Sequence, residues 1–299
     1  MNKEHIETFL TIFDTRNISM AAKKLFVSQS TISHRLNVLE SELGFSLLVR
    51  SRGEKFAKLT PKGEEFIEIA KRWKSLWNET EIWKSQEPKM TLKLSGVDSL
   101  NVCVFSNLYK NLIKHENSLS IDISSRWSKT IYDLIENYDI DMGFVLSPLE
   151  YPNVIVKPLF SARGVVISLK SSDYLETIHP SDLNPANEIL FSYISQYKIW
   201  RSLWWDIDKK EYSSVDTVSL LFSILDSKKQ WAIVPIWIAR AFEKIHPIKI
   251  SELSVSPPKY SCYQIINRHP KPSRVKSIEV FINALEIFMK GDNFLNMIK

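Results

Sequence analysis

Between residues 4 and 43 the apolar positions recur at helical spacing in three short runs. In the first, Ile6, Phe9, Leu10 and Phe13 fall on one face. In the second the inward residues are Ala21, Ala22 and Leu25, Ser19 is the expected N-cap, and the two alanines let a neighbouring helix pack closely. Ser28 is placed to cap the third, whose buried stripe is Ile32, Leu36, Leu39 and Leu43 and which stops at Gly44, a residue suited to a left-handed helix end. At about 100° per residue, Ser30, His34, Asn37 and Ser41 lie farthest from that stripe, with Thr31 and Arg35 on its flank. Small and hydroxyl-bearing residues in the first turns of such a helix are what a DNA duplex requires at close approach. The pattern predicts a helix-turn-helix that reads DNA through Ser28, Gln29, Ser30, Thr31, Ser33, His34 and Arg35. The competing reading is an ordinary helical hairpin with a solvated polar face.

Residues 47 to 59 favour the helix-turn-helix. Two short extended arms, Leu47 to Arg50 and Phe56 to Leu59, bracket Arg52-Gly53-Glu54-Lys55, which predicts a basic hairpin with Arg50, Arg52 and Lys55 beside the duplex: the wing of a winged helix-turn-helix. Thr60 caps a long helix with Pro61 at its first position and Glu64 and Glu65 in its first turn. Along it Ile69, Trp73, Leu76, Thr80 and Trp83 repeat at alternating spacings of four and three, and Phe66, Ala70, Trp73 and Trp77 widen the apolar face. A helix with so much aromatic surface calls for a partner helix, so Phe66, Ile69, Trp73, Leu76, Trp77 and Trp83 are the expected dimerisation face. Packing of the stripe against the chain's own C-terminal region is the alternative.

From Met90 onward strand and helix patterns alternate through to a closing helix at Val275 to Lys290, which predicts α/β units with parallel sheets. The chain's 299 residues allow two or three compact units. The net charge is +5, and residues 1 to 62 hold ten Lys/Arg against six Asp/Glu, so most of the excess lies where a polyanion would dock. The polar N-terminus and the lack of a long apolar run predict a cytoplasmic protein without membrane association. Cys103 and Cys262 are expected to be buried reduced thiols, and the six histidines form no metal-binding cluster; neither metal nor cofactor is expected. No GxSxG elbow, phosphate loop or GxGxxG occurs among only seven glycines, so no enzyme is indicated.

Several of these residues together resemble the LysR-type transcriptional regulators of bacteria: Phe9 in the first helix; Ala21-Ala22-Lys23-Lys24-Leu25; Val27 to Ser33; Leu39-Glu40 and Leu43-Gly44; Leu47-Leu48-Val49-Arg50; and Leu59-Thr60-Pro61-Lys62-Gly63. Weaker echoes are Leu134, Asp141, Phe144 and Ala232-Ile233-Val234-Pro235. The resemblance implies an N-terminal all-α winged helix-turn-helix at 1–60, a linker helix at 61–88 that pairs antiparallel in dimers, and an α/β effector domain at 89–299. That domain would have two Rossmann-like halves resembling periplasmic binding proteins, one at about 90–161 plus 268–299 and the other at about 162–267. The implied protein is a homodimer or homotetramer that binds operator DNA, responds to a small-molecule effector and meets RNA polymerase.

In open α/β folds ligands bind at the carboxyl ends of strands, near helix N-termini. Gly96 to Ser99 and Ser125 to Thr130 are such places, and Tyr197, Trp200 and Arg201 are a possible third wall. Ser99, Ser128 and Thr130 are the expected hydrogen-bonding groups, Arg126 the partner of a carboxylate, and Tyr197 and Trp200 an aromatic wall, a set that favours an anionic effector. A regulator that needs no ligand, and a cytosolic binding module using its helical head for protein contacts, are the alternatives.

Overall fold

The structure, a computed structural model, describes residues 2–49, 58–85, 90–115, 119–191, 195–206 and 213–299. It divides into two compact units, Met1–Pro88 and Lys89–Lys299.

The first unit is helical. α1 (Lys3–Thr15), α2 (Ile18–Lys24) and α3 (Gln29–Leu43) enclose a core of Ile6, Phe9, Ile12, Ala21, Ile32 and Leu39, with Ala21 fully buried at the close approach. Asn17, not Ser19, is the N-cap of α2: its side chain accepts the Met20 N–H, and Ser19 lies one residue inside the helix. Asn and Ser are near-equivalent caps, so local preference does not separate two polar residues so close together. Ser28 caps α3 by accepting from Thr31 N at 3.1 Å, and α3 ends at Gly44 with φ of 77°, a left-handed conformation that glycine adopts without strain.

α4 (Pro61–Ser85) is capped by Thr60, whose Oγ1 accepts the Gly63 N–H. Its first turns pack back on the three-helix core: Phe66 and Ala70 are buried, Phe66 lies 5.4 Å from Phe9 ring to ring, and Trp73 leans on the same cluster. Phe66 is therefore a core residue and is removed from the expected dimer face. Ile69, Leu76 and Trp77 remain exposed, with Trp77 stacked on Trp73. The side chain of Trp83 lies outside the described residues.

In the second unit, β1 (Met90–Gly96), a π-helical turn at Leu100–Val104, α5 (Ser106–His115), β2 (Leu119–Ser125), α6 (Ser128–Glu136), β3 (Met142–Val145) and β4 (Val154–Ala162) come first. Next are β5 (Gly164–Leu169), β6 (Thr177–Ile178), β7 (Ile189–Leu190), α7 (Ser195–Ser202), β8 (Ser213–Ser214), α8 (Val218–Ile224), β9 (Trp231–Pro235), α9 (Ile236–Phe242) and β10 (Ile248–Leu253). The chain closes with β11 (Tyr260–Asn267), α10 (Pro272–Lys290) and α11 (Asp292–Ile298). One sheet has the order β2-β1-β3-β11-β4, another β6-β10-β5-β9, and β7 and β8 form a short pair.

Both larger sheets are mixed, where parallel sheets were expected. β1 runs parallel to β2 and β3, but β11 is antiparallel to β3 and β4, and β5 is antiparallel to β9 and β10. β11 also belongs to the first sheet, paired along its length with β4, although its residues fall within the range 162–267 expected for the second half. The two strands thus carry the chain out of and back into the first half, with the second half inserted between them.

Candidate functional site

Two sites were anticipated, one in each unit. In the first, α3 presents Ser30, His34, Asn37 and Ser41 exposed on the side away from Ile32 and Leu39, with Gln29 exposed at its first turn. Ser28 Oγ lies 2.7 Å from Ser30 Oγ and 2.8 Å from Thr31 Oγ1, so three hydroxyls cluster at the helix start. Ser19 donates to Gln29 Oε1 at 3.2 Å, bracing that side chain from α2. Ser33 and Thr31 are half-buried on the flank. Arg35 leaves the expected set: it is mostly covered, and its guanidinium meets Glu4 of α1 at 2.5 Å.

The base of the wing is formed by an antiparallel bridge between Leu48 and Leu59, with Val49 N donating to Lys58 O at 2.8 Å. Arg50, Arg52 and Lys55 lie outside the described residues. Sequence reasoning missed the residue that fixes this base to the recognition helix. Glu40, buried near the end of α3, accepts the backbone N–H groups of Leu47 at 2.6 Å and Leu48 at 3.1 Å. A carboxylate holding two amides from the next segment ties Leu47 and Leu48 to α3.

In the second unit a cavity of about 260 Å³ opens between the halves, lined by Val97, Asp98, Ser125, Arg126, Trp127, Asp216 and Thr217. Only Arg126 of the expected effector residues lines it. The guanidinium is exposed and donates to Ser125 O at 2.7 Å. Ser99 is fully buried with its Oγ unpartnered, Ser128 Oγ accepts from Leu146 N at 3.3 Å, and Thr130 is exposed on α6.

Tyr197 and Trp200 are core residues, not a cleft wall. Tyr197 donates to Glu188 Oε1, and Arg201 pairs with Glu188 at 2.6 Å, all three nearly inaccessible. Burial pushes the Tyr197 hydroxyl well above its usual range. Trp200 stacks on Tyr197 and meets Trp205 edge-on. The aromatic surface of the cavity is instead Trp127, half exposed at the start of α6.

Asp98 reaches from the first half to the second, where its Oδ2 accepts the Val218 N–H at 2.9 Å. A negative group at the start of α8 is thus supplied by the chain itself. Asn101, buried behind the lining residue Ser125, holds the end of β2: its Nδ2 donates to Ser124 O and Ser125 Oγ, both at 3.0 Å, while Tyr109 donates to its Oδ1. Position 96 must be glycine for this, because a Cβ there would sit 2.3 Å from Asn101 Oδ1. Cys103 and Cys262 are both buried and free, and burial pushes both thiols up.

A helix-turn-helix head and an α/β unit of two halves around a cleft define the class of DNA-binding regulators with an appended ligand-binding domain. Residues 4–64 match the bacterial regulatory helix-turn-helix proteins of the lysR family, and residues 85–286 match the LysR substrate binding domain. The chain belongs to the LysR family. Among curated relatives, an uncharacterized HTH-type transcriptional regulator, YoaU of Bacillus subtilis, is 26% identical over 153 residues, covering 50% of this chain and 52% of its own. The HTH-type transcriptional regulator HdfR of Yersinia enterocolitica is 26% identical over 149 residues, half of each chain. These matches span about half the length of the relatives. A full-length OxyR variant from Pseudomonas aeruginosa superposes with a TM-score of 0.63 at 17% identity, over 98% of this chain and 96% of that one. Full-length CbnR complexed with its target DNA gives 0.54 at 18% identity, over 97% and 100%. At such identities the likeness is one of fold.

No helix among the described residues is long and apolar enough to cross a membrane.

Proposed function

We propose that this chain is a homodimeric, sequence-specific DNA-binding transcriptional regulator whose operator binding is tuned by a small molecule in the cleft between the halves of its second unit. The observation that carries the reading is the exposed face of α3, where Gln29, Ser30 and His34 project from a helix anchored by Ile32, Leu36 and Leu39. Polar side chains in the first turns of such a helix reach base edges in a major groove, and wing cations meet the backbone. CbnR, similar in fold over nearly the whole chain, has been crystallised with its target DNA, which supports the same use here. A mobility-shift titration of genomic fragments across a salt series tests it: specific retention that weakens steeply with salt is expected.

Ile69, Leu76 and Trp77 support pairing of α4 with its counterpart in a second copy. A dimer of dimers and contact with RNA polymerase would be further layers of the same activity. The protein is read as a non-enzymatic cytoplasmic regulator.

For the effector, the lining sets the chemistry. Among the described lining residues an anionic group depends on Arg126, released from Ser125 O, and it must avoid Asp98 and Asp216. A small ligand with a single carboxylate and an apolar body against Trp127 fits those limits. It would act by changing the angle between the halves, since Asp98 bridges them, which requires different affinity for the two arrangements. Thermal-shift screening of small carboxylates and amines against wild type, Arg126→Ala and Asp98→Ala tests the charge. Hits confined to amines, or carboxylate hits unchanged in Arg126→Ala, contradict it.

A further inference from the structure

The turn between α2 and α3 contains a residue whose conformation works against the free protein. Leu25 ends α2, and the next two amides fold back: Phe26 N donates to Lys23 O at 3.2 Å and Val27 N to Ala22 O at 3.0 Å. This is the paired closure of a Schellman motif, which requires a left-handed backbone at the position occupied by Phe26. Its φ is 54°, in the region where a side chain beyond Cβ is disfavoured and where glycine or asparagine is usual.

An aromatic ring at such a position is ordinarily compensated by packing. Tyr138, also left-handed with φ of 60°, is buried to 8% exposure. Phe26 is 95% exposed. It therefore carries conformational strain together with a solvated apolar surface, and neither stabilises the fold as it stands.

Its surroundings indicate what covers it. The turn stands two residues before the Ser28 N-cap of α3, between the exposed Lys23 and Lys24 on one side and Ser28, Gln29 and Ser30 on the other. An apolar side chain flanked along the chain by lysines, Lys24 lying 3.8 Å from Asp14, and by hydroxyl-bearing residues suits a polyanion with apolar edges better than a second protein surface, which would need a larger apolar patch. A duplex offers such edges as thymine methyl groups and deoxyribose faces.

We propose that Phe26 is a DNA-contacting residue that packs on the apolar edge of the operator beside the bases read by α3. This rests on the DNA-binding reading above. The contact supplies affinity without charge, so it adds to the polar contacts of Gln29 and His34 without steepening salt dependence.

The test uses full-length wild type, Phe26→Asn and Phe26→Gly with a duplex enriched by wild type from a random library. Both substitutions relieve the left-handed strain, so melting temperatures should hold or rise, while affinity for the duplex falls by about tenfold and the salt slope stays unchanged. Replacing thymine by uracil in the half-site separates the two edges. Loss at one position that is absent in Phe26→Asn assigns a methyl contact, and no positional effect assigns a deoxyribose contact. Variants that bind as wild type does, or whose affinity falls only in step with a falling melting temperature, overturn the proposal and leave the DNA reading intact. If wild type enriches no duplex, the DNA reading fails and the inference with it.

Discussion

Glu40 offers the sharpest test of how the head is held together. Its Oε1 accepts two backbone N–H groups, and those amides belong to Leu47 and Leu48, themselves buried. Glu40→Ala leaves both donors without this acceptor in a dry site. At about 1–3 kcal/mol for each orphaned buried donor, the loss should be about 2–6 kcal/mol. That is a large fraction of the roughly 5–15 kcal/mol that holds a typical domain folded. Glu40→Gln keeps an oxygen in place and loses only the charge, so about 1–2 kcal/mol is expected. Two readouts separate stability from geometry. Chemical denaturation of the full chain should rank wild type above Gln above Ala, and hydrogen exchange should quicken at the Leu47 and Leu48 amides in the same order. Duplex affinity should fall along the series, because the Leu48–Leu59 bridge at the wing base loses its tie to α3. If Glu40→Ala stays within about 0.5 kcal/mol of wild type, as an ordinary surface substitution would, with amide protection unchanged, the tie has no energetic content.

The same geometry sets three further outcomes. Leu76→Glu places a charge on the exposed stripe of α4 away from the Phe66 cluster, so sedimentation should show monomers while circular dichroism of the helices is preserved; an unperturbed dimer would assign the stripe another role. Gln29→Ala and His34→Ala should each alter base preference at one or two operator positions at a cost of about 1–3 kcal/mol, read by competition among single-base variants. Cys103 and Cys262 should resist iodoacetamide in the native protein and react on unfolding, because burial holds both as neutral thiols; rapid native labelling would contradict their placement.

The helical head was legible because its information is local. The stripe of Ile32, Leu36 and Leu39, the Ser28 cap and the Gly44 stop all belong to one continuous helix, and all three hold. What escaped depends on partners distant in sequence or fold. Glu40 reads as one more polar position on α3 until the chain turns back to bring Leu47 and Leu48 over it. Phe66 shares the period of the exposed stripe, and only its 5.4 Å approach to Phe9 distinguishes it. In the second unit, strand periodicity located most elements but said nothing of pairing direction, which brought β11 beside β4 over a long sequence separation. β10 carries little strand signal in the sequence, because Lys249, Ser251 and Glu252 interrupt its apolar positions, although β5 and β6 flank it on both sides. The cleft was least legible. Tyr197 and Trp200 have the residue types of a ligand wall and serve instead as core around the buried Glu188–Arg201 pair.

The most direct test of the account is enrichment of duplexes from a random library by the full-length protein, then footprinting of the enriched site over a range of salt. The account predicts an inverted repeat whose half-site centres are separated by about 34 Å, or a multiple of it, protected by a dimer whose affinity falls linearly with salt on logarithmic axes. Enrichment of no sequence, or of a site without dyad symmetry bound by a monomer, would contradict it.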